Sequence, residues 1–334
     1  MFSRLPGIGL DIGCHKIRLI WAQKKEAGLQ LIKYGSIHTP PGTVEGGYIV
    51  EPERLGEEIK GLVKELKIGG RRVVSAVGGQ QSYIRNLLMP SFAWEELKTA
   101  VYYQAMKFLP IPLEEAAIDI FPLREIELET GKQTELFFLA VRKQQVENLK
   151  ITCCKAGLKL AVVELEALAL YRVINEASET VVALLSMGFY RSHITVFAQG
   201  VPVFHRPINM GSSAFYAPMS TAGGNSSRWG EASMLEEKGG DYLQTDLIRE
   251  LKGAMEDFEL QNEKEGESIE RLWLCGGGNI GGWEFVLGEA LGLQVETVDI
   301  LPRLILPGHF NHVEKRELQT DYQVALGLAA REVF

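Results

Sequence analysis

Asp11, Gly13 and the run of glycines at 276–278 are the residues whose types and spacing point to chemistry. Residues 7–19, GIGLDIGCHKIRL, pass from an apolar, glycine-containing run into Asp11, turn at Gly13, and leave on the alternating Ile17, Leu19 and Trp21. This pattern predicts a β-hairpin with a carboxylate and a glycine at its tip. Backbone N–H groups exposed at such a tip bind anions, and glycine lets a phosphate come close. A carboxylate there suits a hydrated Mg²⁺, which takes one or two carboxylates and keeps its waters. An ordinary hairpin turn accounts for the same residues. A second glycine site lies at 270–282, ERLWLCGGGNIGG, where a buried strand (Leu272, Trp273, Leu274) enters Gly276, Gly277 and Gly278 before a helix from Trp283. Such a strand–glycine–helix turn admits a flat ligand or a phosphate. It has no lysine of a P-loop.

Around these sites, 334 residues are enough for two or more domains with a sizeable core. Hydrophobic content of 46% and charged content of 23% are those of a soluble globular chain. A net charge of −8, with no cluster of Lys and Arg beyond Lys24-Lys25 and Arg71-Arg72, argues against a nucleic-acid partner. Cys14, Cys153, Cys154 and Cys275 lack metal-binding spacing, which fits a reducing compartment. The N-terminus has no signal-peptide core, and no apolar run reaches membrane-spanning length.

In chain order, a third strand is expected at 29–34, a loop at 38–47, a helix at 51–66 and a strand at 72–77. A strand at 82–88 precedes a helix capped by Ser91, with Trp94, Leu97, Val101 and Ala105 along one side; Pro110 and Pro112 end it. Strands at 117–122 and 135–141 and a helix at 144–154 complete an inserted unit, and a strand at 158–163 returns to the first. A helix at 164–175 precedes residues 181–197, VVALLSMGFYRSHITVF, which repeat the opening organisation with a turn at Gly188. Two such hairpins far apart in one chain suggest an internal duplication. A strand at 202–210 follows. Residues 220–233 are of low complexity and read as mobile; 243–260 is an acidic amphipathic helix, and 321–331, DYQVALGLAAR, a small-residue helix suited to close packing.

This succession resembles the actin-like ATPase superfamily. Within it, the stretches PPGTVEGGYIVEPERLGEEIKGL, NLLMPSFAWEELKTAVYYQAMKFLPIP and VPVFHRPINMG resemble the PilM family of cytoplasmic type IV pilus assembly proteins, relatives of the cell-division protein FtsA. The resemblance covers essentially the whole chain. It implies an α/β fold of two RNase H-like lobes with ATP and Mg²⁺ in the cleft. The first lobe would comprise 1–74 and about 158–178, an inserted FtsA-like subdomain 75–157, and the second lobe 179–334 with a variable portion at about 212–268. It also implies binding of the N-terminal cytoplasmic tail of the inner-membrane protein PilN, in a groove between the first lobe and the insertion. PilO would join through PilN, and the pilus assembly ATPase machinery beyond it, so membrane contact is indirect. The helix at 94–108 and the strand at 83–88 are the residues expected at that groove.

Carried over residue by residue, Asp11 (also the metal-side carboxylate) and Gly13 fit the first phosphate loop. Arg18 stands where the family usually has Lys, which keeps the cation with another geometry. Glu166 falls where an acidic or amide residue orients water, although a solvated helix carboxylate reads the same way. Gly276, Gly277 and Gly278 fit the adenosine motif. The departures are as informative. The second hairpin begins Ser186-Met187-Gly188 where the family has Asp before the turn, so a metal-side carboxylate is missing. Tyr190-Arg191 replace small polar residues, Gly253-Ala254 replace an Arg-Ser pair, and Met210-Gly211-Ser212 retains one of two glycines.

Two classes of function follow: a peptide-binding pilus adaptor with a partly eroded ATP site, and a working or polymerising actin-like ATPase. Phosphoryl transfer needs positioned water and charge stabilisation, and the loss at Ser186 weakens the second. The balance favours the adaptor, at most a weak ATPase. A GspL-like domain of type II secretion shares the architecture but would continue into a transmembrane helix, whereas this chain ends at Phe334.

Overall fold

A computed structural model describes residues 7–26, 28–78, 82–128, 131–174, 181–215, 240–261, 268–277, 282–308 and 310–331. Strand β1 (Ile8–Ile12) turns into β2 (Lys16–Lys25) and that into β3 (Gly28–His38), an antiparallel meander. Part of the run expected as loop is a small ribbon, β4 (Val44–Glu45) with β5 (Tyr48–Ile49). Helix α1 (Pro52–Glu65) has Pro in its first turn, where a missing N–H costs nothing, and buries Leu55, Ile59, Leu62 and Val63. Strand β6 (Arg72–Val77) joins β1 in parallel.

The insertion is a three-stranded sheet of β7 (Ser82–Pro90), β8 (Ala116–Leu128) and β9 (Gly131–Arg142) in the order β7-β9-β8. Helix α2 (Trp94–Ala105) covers one face through Leu97, Val101 and Ala105. Ser91 does not cap α2: Ala93 occupies the N-cap, and the Ser91 hydroxyl pairs with that of Thr134 at 2.9 Å. Helix α3 (Lys143–Lys155), expected in the inserted subdomain 75–157, lies instead against α1, its Leu149 and Cys153 sharing a core with Leu55 and Ile59. Residues 75–77 likewise belong to β6 of the first sheet. Chain order does not reveal which sheet a helix covers.

Strand β10 (Lys159–Leu165) returns parallel to β6, giving the order β10-β6-β1-β2-β3. Because Glu164 and Leu165 still pair with β6, helix α4 (Glu166–Ile174) starts two residues later than its apolar pattern suggests. The second sheet repeats the plan. Strands β11 (Val182–Met187), β12 (Ser192–Ala198) and β13 (Val201–Ile208) form the meander, and β14 (Arg271–Cys275) and β15 (Gln294–Thr297) add in parallel beyond β11. Helices α5 (Gly240–Gln261) and α6 (Trp283–Leu291) accompany this sheet. The expected mobile segment 220–233 lies outside the described residues.

The C-terminal stretch crosses back. Strand β16 (Leu304–Ile305) extends the first sheet beside β3. Helix α7 (His312–Asp321) begins with a capping box of Asn311 and Glu314. Helix α8 (Gln323–Ala330) is wholly buried against β1, β2 and α4. The range 179–334 is therefore not one lobe: its last residues pack on the first sheet. Small residues make this possible, since a Cβ on Gly9 would lie 2.0 Å from the Ala325 carbonyl oxygen, and one on Gly327 2.0 Å from that of Ala169. One apolar core consequently runs from Ile20 and Leu31 through Ala169 and Ala325 to Leu184 and Phe197 of the second sheet. Among the described residues, no helix is long and apolar enough to cross a membrane.

Candidate functional site

The two hairpins close with the same turn. Gly13 N donates to Lys16 O at 3.1 Å and Gly188 N to Arg191 O at 3.0 Å. In both, a Cβ on the glycine would press on that carbonyl, at 2.9 and 2.6 Å. Gly211 lies behind the second tip, where a Cβ would stand 2.4 Å from Arg191 N. The tips touch: the His15 ring stacks on Phe189 with centroids 4.4 Å apart.

Asp11, at the end of β1, is held by Arg18 Nη1 at 3.4 Å. Burial pushes its carboxyl up to about 6, against the pull of the guanidinium and with help from the Glu166 and Asp321 charges. Arg18 Nη1 also donates to Lys16 O, and Nη2 reaches Asp321 at 3.7 Å. Lys16 Nζ bonds Asp321 at 2.8 Å and Glu317 at 3.3 Å. A Cβ on Gly277 would meet Arg18 Nη2 at 2.8 Å, so the glycine turn, the first hairpin and the end of α7 converge on this guanidinium. Gly276 has φ +94°, its N–H donates to Gln323 Oε1 at 2.7 Å, and Gln323 Nε2 donates to Val298 O. Gly278 lies outside the described residues.

Opposite Asp11, Glu166 opens α4 and accepts from the Ser186 hydroxyl at 2.9 Å. Burial raises its carboxyl, offset by the Ser186 hydrogen bond and by Arg18. The cross-strand partner of Ser186 is His193, whose Nε2 lies 3.9 Å from Glu166 Oε1, buried and without a hydrogen-bond partner among the described residues. Burial lowers the His193 ring to about 4, so it is neutral at pH 7.

The cleft thus gathers Asp11, Gly13, Arg18, Glu166, Ser186, Gly188, Gly276 and Gly277. Position 253 faces Arg206, itself paired with Asp257 and Glu250, and Ala254 is buried in the second core. Sequence reasoning missed Lys16, His193, Asp321 and Gln323. A histidine in an otherwise apolar strand was a signal for His193; the others are joined only by the fold. Two buried nitrogens without partners among the described residues, Arg18 Nε and His193 Nε2, beside glycine turns, fit a polyanion with bound water. Asp11 is the carboxylate at the first tip, and no group of three metal-ligating side chains occurs among the described residues. That donor set suits Mg²⁺ only with water completing its shell.

Two further concavities flank β8, one within the insertion and one between the inserted sheet and the first lobe. Among the described residues, strand β8 pairs with β9 on one side and with no strand on the other. A cavity of about 300 Å³ opens on one of its faces, lined by Trp94, Lys98, Val101 and Tyr102 of α2 together with Ile118 and Ile120. Another of about 250 Å³ on the other face is lined by Val77, Ala117, Val141, Val163 and Glu164. Ile118 and Asp119 border both. Of the two segments expected at the peptide groove, the helix at 94–108 lines the cavity within the insertion and not the one against the first lobe, and no residue of 83–88 lines either.

Residues 9–333 match the sequence profile of the family described as type IV pilus assembly protein PilM. The chain belongs to that family. A solved PilM–PilN type IV pilus biogenesis complex is similar at 24% identity and a TM-score of 0.80, over 99% of this chain and 100% of that one. The ethanolamine utilization protein EutJ from Carboxydothermus hydrogenoformans is similar at 12% identity and TM-score 0.50, over 98% of this chain and 91% of EutJ. MreB5 of Spiroplasma citri bound to ADP is similar at 11% identity and TM-score 0.50, over 97% and 94%. The fold is the two-lobed actin-like α/β fold expected from the sequence.

Proposed function

We propose that this pilus assembly protein is an adaptor that captures the N-terminal cytoplasmic tail of PilN along β8, and that its cleft takes ATP with Mg²⁺. The observation that carries the reading is the edge of β8, unpaired among the described residues, with a largely apolar cavity on each face. An extended peptide added to such an edge directs alternate side chains to opposite faces, so backbone pairing supplies affinity and the two cavities supply specificity. The PilN named in the similar complex supports the choice of partner. Through PilN the protein would sit at the inner membrane and connect, by way of PilO, with the assembly ATPase machinery; an acidic chain has no affinity of its own for anionic lipid.

Titration calorimetry with a synthetic PilN tail peptide tests this. Ile118→Glu should weaken binding about tenfold or more, the factor that corresponds to 1.4 kcal/mol. Equal affinity in the variant overturns the groove. For the cleft, Mg-ATP at 100 times its dissociation constant should stabilise the fold by about 2.7 kcal/mol, and Asp11→Ala should remove the shift. No shift at millimolar ATP leaves the peptide-binding scaffold alone.

A further inference from the structure

Asp11, Glu317 and Asp321 share two cations beside the first tip. Asp11 holds Arg18 Nη1 at 3.4 Å, and Glu317 holds Lys16 Nζ at 3.3 Å. Asp321 takes both cations, Lys16 Nζ at 2.8 Å and Arg18 Nη2 at 3.7 Å. An anion brought to this end of the cleft therefore meets cations that are already engaged and carboxylates that outnumber them. It gains from Lys16 and Arg18 only when a carboxylate gives them up.

Asp321 is the carboxylate placed to do so. Asp11 is fixed in β1 within the sheet, and Glu317, at 38% exposed, reaches Lys16 from nearer the solvent. Asp321 ends α7, where the negative pole of a helix disfavours a carboxylate, and no basic residue stands in that last turn. Its compensation comes from Lys16 and Arg18 of the first hairpin and from the Thr320 hydroxyl at 3.3 Å. It also lies against a glycine turn as a bound anion does. A Cβ on Gly277 would stand 3.2 Å from Asp321 Oδ1 and 2.8 Å from Arg18 Nη2, so carboxylate and guanidinium meet over the backbone of that turn.

We propose that Asp321 is an internal stand-in for a phosphate group, which holds Lys16 and Arg18 until a polyphosphate takes them. This rests on the reading above that the cleft takes ATP with Mg²⁺. A tethered carboxylate competes at a high effective concentration. A polyphosphate, with several oxygens for the two cations, displaces it where a single phosphate does not. Asp321 thereby sets both the affinity of the cleft and its selectivity for ligands of more than one phosphate.

Calorimetric titration of the full chain with Mg-ATP, tripolyphosphate and adenosine, in wild type and Asp321→Asn, tests this. In the variant Lys16 keeps Glu317 and Arg18 keeps Asp11, and a thermal melt checks that it folds. Asp321→Asn should tighten Mg-ATP and tripolyphosphate about tenfold and leave adenosine unchanged. Lys16→Gln should weaken Mg-ATP. In the double variant the gain from Asp321→Asn should shrink, because one of the cations it releases is gone. Unchanged or weaker Mg-ATP binding in folded Asp321→Asn overturns the proposal. So does an equal gain for adenosine, or a gain of the same size with and without Lys16, as repulsion at a distance would give. If Asp321→Asn does not fold, Lys16→Gln decides, and Mg-ATP affinity equal to that of the wild type overturns the proposal. Mg-ATP binding that Asp321→Asn fails to tighten spares the cleft reading; no binding by either protein removes both.

Discussion

The two hairpin tips share a backbone and differ in charge. Both close on a glycine N–H to the carbonyl three residues on, with near-equal lengths of 3.1 and 3.0 Å, and both leave no room for a Cβ. At the position two residues before each glycine, however, the first tip carries Asp11 paired with Arg18, and the second carries Ser186 bonded to Glu166. The geometry of a turn is set by sterics that only glycine meets. The residue at the strand end is set by what faces it, and across from Ser186 stands a carboxylate already short of compensation. The duplicated halves have kept what the fold needs and diverged where the chemistry is.

The largest expected effect separates the two tips by pH, in nucleotide-free protein. Asp11 holds its proton up to about 6 against an ordinary 3.8, so the fold favours its neutral form: that contribution is full below about pH 4 and lost as pH rises through 6. His193 titrates near 4 against an ordinary 6.5, so the fold again favours the neutral form: that contribution is full above about pH 6.5 and lost as pH falls through 4. The two oppose each other across one window. Asp11→Asn should uncover the His193 loss, reduced by what the raised Glu166 carboxyl returns as it takes up a proton, with unfolding free energy dropping by up to about 3 kcal/mol between pH 6.5 and 4. His193→Gln should reverse the slope. Denaturant titrations at stepped pH read both; superimposable profiles for the two variants would erase the electrostatic contrast.

The backbone half of the comparison is sharpened by Gly13→Ala and Gly188→Ala. Each forces a turn to shift by pushing a methyl onto its own closing carbonyl, at a cost of about 2 kcal/mol of the overpacking kind. The contact is tighter at position 188, 2.6 against 2.9 Å, so that variant should melt lower. If position 13 tolerates alanine while 188 does not, the turns are not equivalent.

How much of this was legible in the chain depended on whether a signal was local. Apolar runs broken by glycine announced both hairpins and their duplication, and the spacing of Leu55, Ile59 and Leu62 announced α1, because burial periodicity is written in consecutive residues. Which layer a segment joins is not. The small-residue helix at the C-terminus was read as closely packed, yet nothing in DYQVALGLAAR says that its partner is Gly9, more than three hundred residues away. The cleft was half legible for the same reason: Asp11, Gly13 and the 276–277 glycines carry local patterns, whereas Asp321, Gln323 and Lys16 meet only in the fold. In the sequence Ser186 is a loss of charge. The structure adds that its hydroxyl donates to Glu166, which a carboxylate could not do unless protonated.

Ser186 therefore gives the smallest and most discriminating test. Ser186→Ala removes one donor from a buried carboxylate and should cost about 1 kcal/mol. Ser186→Asp restores the carboxylate expected at this turn, but sets it within hydrogen-bond distance of Glu166, whose own carboxyl burial has already raised. Two carboxylates so placed share a proton. The variant should lose about 1–2 kcal/mol at pH 7, with the loss shrinking below pH 5 as the pair takes up that proton. Added Mg²⁺ should return part of the stability, since a second carboxylate on the metal side of the cleft supplies what Asp11 alone lacks. A pH-independent loss that Mg²⁺ leaves untouched would mean that position 186 does not face the metal side, and the two hairpins would then be equivalent in backbone only.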